Sequence, residues 1–423
     1  MVLLRTRGFA LLWCGQSLSG LADSSLRPLV LIWVYTLTRS ATTVSLVGLA
    51  EALPLLALAP VAGVFVDRWS RARTMAGAVF ARAVVILPLL LVTTGAGVPL
   101  IVVVVLGANA ASQFFQPAAS AALPVIVGPE RVGRANSLFT LVTGVSAAIG
   151  PAGASALFVV IGPHATIVAL SLIYALAVPL LLAVPAPRPP KGAPRTSIGR
   201  ELRDGLAYVH RSPLLLALIV VVFVALLGVG ALTVIDVVFV TRALHRPAAN
   251  AGVLFLANGA GQLLGGLLVA LTSAWAAHRY HLLLGGATLV CGAAFSVYAL
   301  APTLPVAAMA VAVAGLSLPS ILVSFTTLTQ LATVDAFMGR VLSLINALVT
   351  IATIMSLAVS GVLTDLLGVR EIIGVAAALL LLSGALALVA INSTPGARAQ
   401  IHRPPPTPLT QQRDTHEYPA ELT

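Results

Sequence analysis

The stretch Gly63-Val64-Phe65-Val66-Asp67-Arg68-Trp69-Ser70-Arg71-Ala72-Arg73 decides how this chain is built. Three arginines and one aspartate fall within seven residues, and apolar segments, near 43 to 66 and 74 to 94, flank them on both sides. A chain of that pattern has to leave the hydrocarbon at the charges and re-enter at once. Two consecutive membrane helices tied by a tight charged turn are the result.

Composition agrees with this reading over the whole length. Of 423 residues, 59% are hydrophobic and 9% charged, and the mean hydropathy is +1.04. A water-soluble globule of that composition would expose very large apolar patches. The expectation is an all-α membrane protein of twelve transmembrane helices in two pseudo-symmetric six-helix bundles. The first six spans are placed near 10 to 36, 43 to 66, 74 to 94, 98 to 120, 137 to 160 and 165 to 184. The second six follow near 213 to 239, 251 to 273, 282 to 300, 304 to 327, 341 to 363 and 372 to 391. This divides the chain into an N-terminal bundle (1–184), a linker (185–212), a C-terminal bundle (213–391) and a tail (392–423).

The linker gathers five prolines and six Lys or Arg residues. Within it Ile198, Leu202, Leu206 and Val209 recur at helical spacing after Ser197, which predicts an amphipathic interfacial helix. The tail, with Pro404-Pro405-Pro406 and scattered polar residues, has little to bury and is expected to be disordered. Of the 24 Lys and Arg residues, four (Arg39, Arg242, Arg246, Arg370) fall on one side of the spans and two (Arg27, Arg82) inside them. The remainder lie on the side of the N-terminus, so both termini and the linker are expected in the cytoplasm, in a multi-pass protein of the cell membrane. The formal net charge of +11 is carried by loops, which points to the membrane surface and not to nucleic acid. Cys14 and Cys291 lie in apolar runs and read as packing residues.

The order Gly63, three residues, Asp67-Arg68, two residues, Arg71, one residue, Arg73 resembles the loop signature between spans two and three of the major facilitator superfamily. Further stretches resemble its drug, macrolide and enterobactin exporter branch: Leu12 to Gln16 with Ala22-Asp23, Phe115 to Ala118, Ala135-Asn136, Ile149-Gly150-Pro151, and Gly339-Arg340-Val341. Ser70 stands where the family loop carries glycine, and the matching loop of the second half, Ala277 to His281, has no acidic residue. The resemblance implies a secondary transporter that exports a small molecule by proton antiport and alternating access, as in multidrug resistance. It also implies a gating loop (Gly63, Asp67, Arg68, Arg71, Arg73) that clasps the start of span eleven at Asp335.

Ionisable residues at membrane depth are costly and point to function. Asp23 and Arg27 stand four apart on one face of span one. Glu51 lies about nine residues, roughly 13 Å, into span two, at a depth similar to Arg27. An Asp23, Arg27, Glu51 cluster is therefore expected, with Asp23 or Glu51 as proton carrier and Arg27 setting its pKa. A static ion pair orienting spans one and two is the competing reading. Arg82 is expected to snorkel to the near surface, and Asp236 to be wet at the outer end of span seven or to face the cavity mouth.

Trp33 and Tyr174 are candidate aromatic contacts for substrate. Asn109, Gln113, Asn258 and Gln262 either glue helices or line the cavity. Gly150-Pro151 removes an amide donor and is expected to bend span five. Gly261 and Gly265 are spaced for close packing of span eight against a neighbour. No phosphate-cradling GxxxxGK[ST], no HExxH and no Cys/His metal cluster occurs, and the seven histidines are scattered. The expectation is a non-enzymatic exporter of amphipathic or apolar molecules, monomeric, without cofactor or metal, its energy source the proton gradient. A proton-independent facilitator or importer, and a transport-inactive scaffold or sensor, are the alternatives.

Overall fold

The computed structural model describes residues 6–66, 69–185, 203, 206–230, 232–276 and 279–393. Every regular element among them is helical. This follows from the solvent: hydrocarbon offers no partner for an amide or carbonyl, so each span satisfies its own backbone. Among the described residues, fourteen α-helices of seven residues or more make twelve passes. The first half contains α1 (Arg7–Thr38), α2 (Ala41–Val66), α3 (Arg71–Val85), α4 (Val98–Ser112), α5 (Phe115–Val127), α6 (Val132–Val160) and α7 (Gly162–Leu182). The second contains α8 (Pro213–Val229), α9 (Leu232–Val238), α10 (Ala251–Ala276), α11 (Tyr280–Leu300), α12 (Leu304–Leu331), α13 (Asp335–Leu367) and α14 (Val369–Ser393).

Three passes depart from the single helices that hydropathy predicts, each at an identifiable residue. The fourth splits at Gln113-Phe114 into α4 and α5, because Pro117 has no N–H to offer the Gln113 carbonyl. The third tightens after α3 into a 3₁₀ turn, Leu87–Leu91, at Pro88. The seventh breaks around Gly230, where α8 presses on α13: a Cβ at Gly230 would meet Ser356. It then resumes as α9 and ends in a π-helical turn, Phe239–Ala243. By contrast α6 runs unbroken through Pro151, and Ser25 Oγ of α1 donates to the Gly150 carbonyl at 3.1 Å.

Ten helical segments are long and apolar enough to cross a membrane, and large apolar side chains such as Leu91, Val160 and Leu271 cover the outside. The two missing from that count are α1, diluted by Asp23, Arg27 and several serines, and the broken seventh pass. One end of the bundle holds the start of α1 and the end of α14 and is called the terminal face. The other, near residues 38–41, 161, 243–251 and 367–369, is the distal face.

Helices α1 to α7 pack chiefly on one another, as do α8 to α14, and the groups meet along two seams, α2 on α13 and α6 on α10. Small residues make the seams tight. Gly361 of α13 sits against Ser45 and the Ala41 carbonyl of α2, Gly252 against Ser155, and Gly259 against Ala148. The neighbour expected for Gly261 and Gly265 is α12, whose Ala312 and Leu316 backbone they touch.

The 185–212 linker is described only at Pro185, at residue 203 and from 206, with 206–210 helical; its predicted cap Ser197, with Ile198 and Leu202, lies outside the described residues. The tail beyond 393 lies outside them too.

Gly261→Val is expected to lower the stability of the purified protein by about 1–3 kcal/mol, since its branches would press on α12 backbone. Gly266→Ala, five residues further along the same helix and in open space, should leave thermal unfolding unchanged or slightly raised.

Candidate functional site

Asp23 and Arg27 lie one turn apart on α1, and each is taken by a different helix. Both Asp23 carboxylate oxygens accept from Arg82 Nη1 of α3, at 2.6 and 2.5 Å. Tyr174 Oη of α7 donates to Asp23 Oδ1 at 2.5 Å. Arg82 Nε donates to the Ala78 carbonyl, and the rings of Phe115 and Tyr174 lie 5.5 and 5.2 Å from its guanidinium carbon. Arg27 Nε meets Glu51 Oε2 of α2 at 2.8 Å.

The expected cluster of Asp23, Arg27 and Glu51 is thus two ion pairs side by side, with Asp23 held by Arg82 instead of Arg27. Water explains the choice. The Arg82 side chain is 2% exposed and Arg27 45%, so the cation with less hydration has more to gain from the carboxylate. Arg82 does not snorkel, because it points inward between α1 and α7 and is enclosed by two rings.

Asp23 is 44% exposed despite its partners, and the exposure has a location. Three cavities share its side chain. One, of about 390 Å³, is lined by Arg27, Glu51, Arg82, Asn109 and Tyr174, with Thr353 and Leu357 bringing α13 to the wall. A second of about 390 Å³ runs between α1, α5 and α6 past Gln16, Phe115 and Thr143. The third, about 520 Å³, passes Arg82, Gln113 and Gln116. The last two lead from Asp23 toward the terminal face.

The other predicted residues divide. Asn109 lines the first cavity while its amide donates to the Val105 carbonyl. Gln113 lines the third and donates to the Asn109 carbonyl. Asn258 and Gln262 hydrogen-bond to each other on α10, and the Asn258 backbone is packed on Gly315 of α12. Trp33 is 3% exposed and packs edge-on to His164, ring centroids 5.3 Å apart, away from the three cavities. In the stretch from Gly63 to Arg73, Gly63 lies in the last turn of α2 and Arg71 and Arg73 begin α3. Asp67, Arg68 and the Asp335 side chain lie outside the described residues.

A site that sequence reasoning missed closes the distal face. Asp365, in the last turn of α13, reaches across to the first turn of α2. It accepts from the amides of Ala41 and Thr42 at 3.2 and 2.9 Å and from the Ser40 and Thr42 hydroxyls at 3.2 and 2.8 Å. A carboxylate from one half therefore caps a helix belonging to the other. Arg242, carried by the π-helical turn, donates to Asp365 at 2.7 Å, to Tyr35 Oη at 3.1 Å and to the Arg39 carbonyl at 2.9 Å. Arg39 and His245, on the two loops that meet here, are the non-glycine residues of positive φ among those described, at 55° and 52°. Asp365 falls just beyond the span expected near 341 to 363, and the helix end it caps is 324 positions away in sequence.

Asp236 is neither wet nor at the cavity mouth. It is 7% exposed and accepts from Tyr298 Oη of α11 at 2.8 Å.

Two six-helix halves joined by two seams, with charged residues facing cavities between the helices, define a membrane transporter of small molecules. The chain belongs to the Major Facilitator Superfamily, which it matches over residues 12–356. It is 24% identical to Macrolide efflux protein A of Streptococcus pyogenes, over 86% of this chain and 91% of that one. It is 27% identical to the Multidrug efflux pump Tap of Mycolicibacterium fortuitum, over 78% and 83%. Among solved structures it is similar to a bacterial homolog of the human lysosomal transporter Spinster, inward-facing and unoccupied, with TM-score 0.74, 15% identity and 95% and 99% coverage. A bacterial homologue of the iron transporter ferroportin, also inward-facing, matches with TM-score 0.70, 17% identity and 95% and 100% coverage.

Removing the clasp should unseal the distal face. A helix cap of this kind is worth about 1 kcal/mol. Asp365→Ala is therefore expected to raise, by about fivefold, labelling of a single cysteine at Ser45 by an impermeant thiol reagent added from the distal side, in a background lacking Cys14 and Cys291.

Proposed function

We propose that this protein exports a small amphipathic or apolar molecule in exchange for protons, as a monomer in the cell membrane with its terminal face in the cytoplasm. The observation that carries the reading is Asp23: a carboxylate at membrane depth, paired to a buried arginine and exposed where three cavities meet. Two of those cavities lead toward the terminal face while the distal face is clasped, which suits a state that loads cargo from the cytoplasm. The predominantly apolar helices around them suit poorly water-soluble cargo.

Coupling follows from the two ion pairs. A proton arriving at Asp23 cancels its attraction to Arg82 and loosens α1 from α3 and α7. A proton at Glu51 does the same between α1 and α2, releasing Arg27 to swing toward Asp23 one turn away. Glu51 and the Asp365-capped amide of Ala41 lie on one helix, ten residues or about 15 Å apart. A change in α2 at the ion pair is thereby delivered to the distal clasp. Protons supply the energy and no cofactor enters. The loop of Asp67, Arg68, Arg71 and Arg73 serves as the corresponding latch at the terminal face, against the start of α13 at Asp335. The other assignments of the sequence reading, to Asn109, Gln113 and Tyr174 as cavity wall and to Gly150-Pro151 as a flexing point of α6, belong to the same mechanism.

Inside-out vesicles given a compound panel test this. Substrate addition is expected to release protons from the lumen of wild-type vesicles. Asp23→Asn and Glu51→Gln at normal expression should cut that release by tenfold or more in at least one variant. Full coupling in both would overturn the assignment.

A further inference from the structure

Each half sets a carboxylate against a tyrosine hydroxyl, exposed to the cavities in the first half and buried in the second. In the first half Asp23 has Tyr174 and Arg82. In the second, Asp236 has Tyr298 and no ion pair among the described residues. Tyr298 is 0% exposed, and its ring packs on Phe239 and Phe295, with centroids 4.4 and 6.2 Å apart. The carboxylate is sealed in an aromatic, apolar setting.

The charged and titratable groups on the surrounding elements are otherwise engaged. Arg370 of α14 lies 5.4 Å from the Phe239 ring centroid but donates to the carbonyls of Ala299 and Ala301 at 2.6 and 3.0 Å. Glu371 is exposed. Arg242, on the continuation of α9, is held by Asp365, Tyr35 and Arg39. Glu51 of α2 is paired with Arg27, and α8 and α10 carry no charged residue. An isolated carboxylate enclosed in this way is far too costly to persist at membrane depth, and one hydroxyl donor does not offset the loss of water.

We propose that Asp236 and Tyr298 form a second proton-binding site, in the second half of the transporter, distinct from the Asp23 site. In the clasped state Asp236 carries the proton as a neutral carboxylic acid, its carbonyl oxygen accepting from Tyr298. When the distal face opens, water reaches the site. The acid then passes its proton to that water as hydronium, and the carboxylate left behind keeps the Tyr298 hydrogen bond and gains hydration.

The geometry couples this step to the clasp. Asp236 and Arg242 lie six residues apart on one continuous segment, and the π-helical turn between them is the kind of irregularity that absorbs a shift of register. Release of Arg242 from Asp365 and Tyr35 moves the segment that shields Asp236. The role in transport rests on the proton exchange proposed above; binding of the proton does not.

Infrared difference spectroscopy of the full-length protein in lipid nanodiscs, titrated with acid and base, tests the site directly. Wild type and Asp23→Asn are expected to keep the carbonyl stretch of a protonated carboxyl at neutral pH. Asp236→Asn should lose it, and Tyr298→Phe, which removes only the hydrogen bond, should shift its frequency. Asp365→Ala, by opening the distal face, should shrink it at the same pH. An unchanged band in both Asp236→Asn and Tyr298→Phe overturns the proposal, as does a band that ignores Asp365→Ala. If vesicles show no substrate-driven proton movement while the band still depends on Asp236, the second site stands and the antiport reading fails.

Discussion

Among the described residues the largest fully buried side chains are three tyrosines, Tyr35, Tyr174 and Tyr298; Tyr35 accepts a hydrogen bond from an arginine, and the other two donate to carboxylates. Tyr35 binds Arg242 at the distal clasp, Tyr174 binds Asp23 beside the cavities, and Tyr298 binds Asp236 in the second half. The constraint behind all three is that a polar group inside a bilayer has no water to fall back on. A phenol meets it well, since its ring packs as core while its tip reaches one partner. At three of the places where charge enters the bundle a tyrosine meets it, while the Arg27–Glu51 pair does without one.

The same constraint makes the halves separable. The ion pairs of Asp23 and Glu51 tie helices within the first half, and Tyr298 ties Asp236 within the second. Between the halves the contacts are of two other kinds. Glycine against serine or alanine lets α2 meet α13 and α6 meet α10 closely, by packing that costs little to slide. The polar clasp of Asp365 and Arg242 sits at the distal rim, where both side chains keep some water, 27% and 34% exposed. Exposed pairs are worth little individually, which suits the proposal that these bonds break and re-form during transport.

Much of this was legible in the chain itself. Hydropathy placed twelve passes because lipid leaves the backbone no alternative to the helix, and Gly261 and Gly265 read correctly as a close crossing. The motif at Gly63 to Arg73 and its companions pointed to the family to which the chain belongs. Asp23, Arg27 and Glu51 stood out because charge is rare at that depth. Their pairing was less legible: i, i+4 spacing made Arg27 the natural partner of Asp23, and nothing local reveals that Arg82, 59 residues on, approaches with less water of its own. Asp236 was misplaced for a related reason. Counting residues from a helix end measures depth but not whether Phe239, Phe295 and Tyr298 close over the side chain.

The structure alone shows that Pro88 and Pro117 interrupt their helices while α6 runs through Pro151; what the sequence by itself determined is helix where the run is apolar and turn where charges gather. These are properties of the backbone in its solvent and need no neighbour. Tertiary structure alone decided who meets whom. Only the crossing of α2 and α13 turns Asp365 into the cap of a helix 324 residues before it, and only the packing of α3 on α7, which itself packs on α1, turns Arg82 from a surface cation into the partner of Asp23. The physical reason is that an ionisable group takes its character from the water and charges within a few ångströms, and in a bundle of long helices those neighbours come from distant parts of the chain.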